Sequence, residues 1–120
     1  MLIYGFVGDK SGFMEMENKL ESMQKFVGGL IEVVSLTDEI DLIINEEGLF
    51  NGSELRLLVL DKEGKICHII MGDCFVCCHD KKGNFTSIKQ ADLSIINKCL
   101  LHINSDELRL LATLCLSSMR

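Results

Sequence analysis

The 120-residue chain contains no proline and no stretch of low complexity. That excludes a rigid proline-rich spacer and argues against a disordered tail. Long apolar runs are missing too, since none approaches the roughly 18 uninterrupted residues of a membrane span. Positive charge is sparse and scattered. Lys81-Lys82 is the one basic cluster, and it stands beside Gly83 in what reads as a turn. With 18 acidic against 12 basic residues the net charge is −6. Nucleic acid and anionic membranes are recognised by concentrated positive charge, so neither is an expected partner. The same −6, spread along the chain, is modest for a mimic of DNA. The opening MLIYGFVGDK lacks the basic start and longer apolar run of a secretory leader. The resulting expectation is a cytoplasmic protein whose six cysteines are thiols.

What is present is an ordinary globular mixture, 48% apolar and 25% charged, long enough for one domain with a real core. LIYGFV (2–7) and FMEME (13–17) read as strands joined by a glycine-supported turn over GDKSG (8–12). That turn faintly echoes a phosphate-binding loop, but Asp9 separates Gly8 from Lys10, so the G-K-[ST] ending is absent. A helix follows, with Asn18 as expected cap and Glu21 reaching back to it. Leu20, Met23, Phe26 and Val27 form its stripe, and Gly28-Gly29 its stop. LIEVVSL (30–36), IDLII (40–44), LRLLVL (55–60) and KICHII (65–70) read as further strands. Two D-K-x-G segments, 61–64 and 80–83, read as hairpin loops.

From Ile88 the period becomes helical, with Ile88, Ala91, Ile95, Ile96, Cys99 and Ile103 on one face. A second helix is expected after the cap at 104–107, with Leu108, Leu111, Ala112 and Cys115 inward. Leu110, Leu114 and Leu116 broaden its stripe. Such a helix is either packed on two sides or a self-association face that makes a homodimer. The expected fold class is α+β: a small, mostly antiparallel sheet, a helix after the second strand and two C-terminal helices. Residues 1–103 form the domain, and 104–120 a helical extension packed on it.

The stretch GDCFVCCHD (72–80) invites a metal reading. On a strand, however, Cys74 and Cys78 share one face and Cys77 takes the other. The α-carbons of Cys74 and Cys77 would then lie about 10 Å apart, at about 3.3 Å per residue. Zinc holds its sulfurs within about 4 Å of one another. Cys78 also breaks the C-x-x-C-H of a haem site, and no helix begins here to stabilise a redox thiolate. The expectation is three buried thiols acting as small hydrophobes, with no metal and no cofactor. A site recruiting Cys67, His68 or His79 is the remaining metal alternative.

Three segments together resemble the bacterial family known as domain of unknown function 3846. They are the helix ending V-G-G with the strand beginning I-E (20–36), the strand ending N-E-E-G (40–48), and KICHIIMGDCFVC leading to NFTSIKQADL. The likeness spans residues 1 to about 100. His68 stands where that family commonly has an acidic residue, and the P-x-N-R element usual after N-E-E-G is not recognisable in LFNGSELRL. The resemblance implies a small intracellular protein of phages, plasmids or conjugative elements, and it brings no activity.

Glu32, Glu46, Glu47, Asp73 and His68 are the polar residues that chemistry could use, yet no Ser-His-Asp order, metal spacing or nucleotide fingerprint accompanies them. Glu46-Glu47 reads as a solvated turn, and Glu32 as an edge-strand carboxylate. The expected function is therefore a non-enzymatic interaction module that binds another protein, modulating a host system. Its candidate binding residues are Glu32, Asn45, Glu46, Glu47, Gly48 and Asn51. The alternative is a small-molecule or nucleotide-sequestering protein with a pocket between sheet and helices.

Overall fold

The computed structural model describes residues 1–48 and 53–118, with the Ser118 side chain left out. Nine strands and three α-helices follow in the order β1 (Leu2–Val7), β2 (Lys10–Glu15), α1 (Leu20–Val27), β3 (Ile31–Ser35), β4 (Ile40–Asn45), β5 (Leu55–Leu60), β6 (Ile66–Met71), β7 (Cys74–His79), β8 (Phe85–Thr86), α2 (Leu93–Cys99), β9 (Leu100–His102) and α3 (Asp106–Ser118). All strand pairs are antiparallel, and the fold is α+β. The strands form two sheets rather than the single one expected. The first runs β2-β1-β7-β4-β3, with β8 beside the end of β7, and the second runs β6-β5-β9.

β7 is central in the first sheet and buried on both sides, and its cysteines lie where period-two alternation puts them. Cys74, Val76 and Cys78 join Phe6, Leu42, Leu57 and Ile96 in the core shared by the two sheets. Phe75 and Cys77 join Ile3, Met23, Val27 and Ile43 under α1. Burial pushes the Cys77 thiol up to about 12, raises Cys74 further still, and raises Cys78 with help from Asp92. Thiols held protonated in hydrocarbon are poor nucleophiles. Iodoacetamide should therefore modify exposed Cys67 and Cys115 quickly in the native protein, and reach Cys74 and Cys77 only as fast as the chain unfolds. Peptide mapping of an alkylation time course checks this, and early label on Cys77 would refute it.

Several local expectations change. The first hairpin turns on Gly8-Asp9 alone, because Val7 pairs directly with Lys10 and β2 begins there. Asn18 does not cap α1. Lys19 occupies the cap position without a side-chain bond, and the Asn18 amide donates instead to the Phe85 carbonyl, 2.8 Å away. The helix expected to run through Ile103 ends at Cys99. Leu100–His102 then pair with β5, whose open edge offers backbone partners to a short apolar run. Ser105 does cap α3, accepting from the Leu108 amide at 3.1 Å. Leu108, Ala112 and Leu116 pack against Leu55, Leu58 and Ile103, one residue in four along the helix. The expected inward Leu111 and Cys115 are exposed, as are Leu110 and Leu114. α3 thus packs on one side only within the described residues. No described helix is long and apolar enough to cross a membrane.

A charged clamp ties the two sheets together. β5 carries a bulge between Leu55 and Leu57, which re-aims the extra residue, Arg56. The buried guanidinium meets Asp73 at 3.2 Å, and the same carboxylate oxygen accepts the Gly8 amide at 3.1 Å. The ring of His102 on β9 lies 3.1 Å from the Gly8 carbonyl.

Candidate functional site

Among the described residues the second sheet has three strands, and its outer strand β6 lies across from the β4–β3 end of the first. A cleft of about 790 Å³ opens there. All six residues of β6 line it. Glu32 and Ile44, a register pair on β3 and β4, also line it, and so do the α3 residues Thr113, Leu116 and Ser117. Glu32 and Ile44 point toward the second sheet because they alternate in phase with Val34 and Leu42, which enter the shared core. Asn45, Glu46 and Leu55 complete the lining.

β6 is shaped by a bulge of its own. Leu60 pairs with Ile66 and Val59 with His68, leaving Cys67 as the extra residue. The Cys67 thiol donates to the Val59 carbonyl at 3.3 Å. Cys67, His68 and Ile69 are exposed along the cleft. Glu32 and Glu46 are the charged side chains of the lining, which carries no Lys or Arg among the described residues. The site is therefore apolar with an acidic rim.

The turn after β4 explains the N-E-E-G pattern structurally. α1 ends on Gly28, whose φ of 81° is a left-handed conformation that favours glycine. The buried Asn45 amide donates to the Val27 carbonyl at 3.0 Å, and its side-chain oxygen accepts the Glu47 amide at 2.7 Å. Gly48 is pressed against β6, and a Cβ added to it would lie 2.9 Å from the Met71 carbonyl oxygen. V-G-G and N-E-E-G are thus two halves of one junction that braces α1, β4 and the end of β6.

Of the six residues expected to bind, Glu32, Asn45 and Glu46 border the cleft, although Asn45 has its side chain engaged in the junction. Glu47 is exposed away from the lining, and Gly48 is buried beneath it. Asn51 lies outside the described residues. His68 faces the cleft from β6, whereas Asp73 belongs to the clamp with Arg56. Sequence reasoning singled out His68 and Cys67 on β6 but did not name Ile66, Ile69, Ile70 or Met71 as site residues. Nothing in the run KICHIIM marks Ile69 as exposed, because its exposure follows from β6 having no strand on its outer side among the described residues.

A smaller depression of about 420 Å³ lies around His79 and Lys89. There the His79 ring sits 2.6 Å from the buried Asp41 carboxylate, which Ser35 also approaches, at 3.5 Å. The hydrogen bond to Asp41, and then its charge, hold His79 above the usual histidine range. A histidine raised on folding contributes stability in full below its unfolded value of about 6.5, and loses it as pH climbs through the folded value. The wild type should therefore exceed His79→Gln in urea midpoint at about pH 5.5, and the gap should shrink by about pH 8.5. A gap that widens with pH would contradict the pairing. Among the described residues no group of three His, Cys, Asp or Glu side chains is arranged to hold a metal ion.

A family model described as Domain of unknown function (DUF3846) matches residues 7–100. The chain belongs to that family. The DUF3846 match takes in α1, the junction, β6 and β7, and so includes every strand that lines the cleft, while α3 lies beyond it. No curated protein and no solved structure matches the chain.

Proposed function

We propose that this DUF3846 protein is a non-enzymatic binding module that docks another protein in the cleft beside β6. The observation that carries the reading is the cleft itself, an exposed strand edge with an apolar floor and two carboxylates. The chemistry-bearing groups elsewhere are engaged structurally: Asp73 with Arg56, Asp41 with His79, and the β7 thiols in the core. Action within a phage, plasmid or conjugative element, on a host system, is part of the proposal and rests on the family resemblance.

Selection of displayed protein fragments against the whole chain tests it. Binders should be lost with Ile69→Asp and weakened by Glu46→Ala, but indifferent to Glu47→Ala, because Glu47 lies off the lining. Binders indifferent to Ile69→Asp would remove the cleft from consideration. The second reading, a small-molecule site, draws on the volume, which falls in the usual ligand range of about 300–1,000 Å³. A nucleotide suits it poorly, since its phosphates would meet Glu32 and Glu46. A thermal-shift screen separates the readings, as a ligand at about 100 times its dissociation constant adds about 2.7 kcal/mol.

A further inference from the structure

We infer that the occupant of the cleft is an extended basic segment of the partner protein, added as a fourth strand to the second sheet along β6. This deepens the binding reading above and rests on it.

The first observation is topological. β6 pairs with β5 on one side, and among the described residues no strand lies on the other. All six residues of β6 line the cleft although their side chains alternate between faces, which places the strand's outer edge of backbone N–H and C=O groups along the cleft's wall. His68–Ile70 run without a bulge in β6 and present a regular stretch for pairing, while Gly48 closes on the Met71 carbonyl at its end.

The second observation is spatial. A strand added to β6 would sit about 4.8 Å from it and about 10 Å above the β3–β4 face, the ordinary spacing of stacked sheets. Its side chains would alternate, one set meeting Ile44 and Glu32 and the other Leu116 and Thr113. The cleft occupies the place of a missing strand.

The third observation is the absence of protection. Edge strands are commonly guarded by a lysine, an inward charge or a proline. The outer strands of the first sheet follow that practice, β2 with Lys10 and Glu15, and β3 with Glu32. β6, reading ICHIIM, has no Lys, Arg, Asp, Glu or Pro and exposes Ile69. Among the described residues its guards are the bulge at Cys67 and Gly48 against the Met71 carbonyl, and they spare His68–Ile70.

Charge selects the occupant's chemistry. Glu32 and Glu46 border the place where the strand would lie, with no cation beside them in the lining. A segment carrying Lys or Arg among apolar residues complements both, whereas a second copy of this chain, at net charge −6, is repelled.

A displayed library of random segments of about eight residues, somewhat longer than a typical strand, tests the inference against the full chain. Enriched segments should alternate apolar residues with Lys or Arg. N-methylation of alternate backbone nitrogens should weaken the synthetic versions about tenfold or more, because it removes several backbone hydrogen bonds. Amide exchange at His68–Ile70 should slow on binding. Glu32→Lys, an exposed change that should leave the unfolding midpoint near wild type, should weaken basic segments about fivefold and favour versions with Glu in their place.

Binders that Ile69→Asp abolishes but N-methylation spares would overturn strand addition while leaving the cleft as the site. Binders indifferent to Ile69→Asp would defeat both readings. A library yielding no segment, or self-association that protects β6, would overturn the inference as well.

Discussion

Phe75→Ala should cost about 3–5 kcal/mol, enough to consume much of the 5–15 kcal/mol typical of a domain. The ring is fully buried on the central strand, between Gly5 on β1 and Ile43 on β4. It meets Phe26 of α1 edge-on, with centroids 5.3 Å apart and planes at 78°. Truncation would remove its contacts with Ile3, Met23 and Val27 and leave a cavity that a strand paired on both edges cannot close. The aromatic pair adds about 0.5–1.5 kcal/mol beyond burial. Phe75→Leu keeps most of the volume and should cost less than half as much. Urea unfolding of the two variants checks both values, and a loss below about 1 kcal/mol for the alanine would contradict this packing.

Asp73→Ala should cost about 2–3 kcal/mol, for a different reason. Its carboxylate is the counter-charge that Arg56 meets through Nη2, and among the described residues the buried Nε and Nη1 have no hydrogen-bond partner. Removing it leaves a cation in a low-dielectric seam and frees the Gly8 amide. Most of the cost is then the stranded charge rather than the lost bond. Arg56→Met in the Asp73→Ala background should recover part of the stability, which two independent losses would not do. A double variant weaker than either single one would show that Arg56 contributes by packing instead.

The elements most legible in the sequence were those whose signal is local. Cys74, Phe75, Val76, Cys77 and Cys78 alternate with period two, so their two faces could be assigned before any partner strand was known. Gly28 stops α1 because a left-handed residue is a local requirement. Ser105, likewise, caps a helix that starts beside it. Errors came where a distant partner outbid a local preference. Asn18 has the chemistry of a cap but serves the Phe85 carbonyl, 67 residues away. Leu100–His102 fit a helical stripe until β5 claims them.

The cleft was legible only in part, for the same reason. Glu32 could be read as an edge carboxylate and Glu46 as exposed, both from their immediate neighbours. That β6 lies opposite them, unprotected, follows from the division into two sheets, which no short pattern encodes. The N-E-E-G turn reads as a surface motif in sequence, yet Asn45 and Gly48 are committed inward to Val27 and Met71.

The most direct test of the binding account is hydrogen–deuterium exchange of the whole chain with and without a selected partner. Slowed exchange should be concentrated in Ile66–Met71, with smaller effects around Glu32 and at 113–117. Protection centred on the His79 depression, or on the exposed leucines of α3, with β6 unchanged, would contradict it.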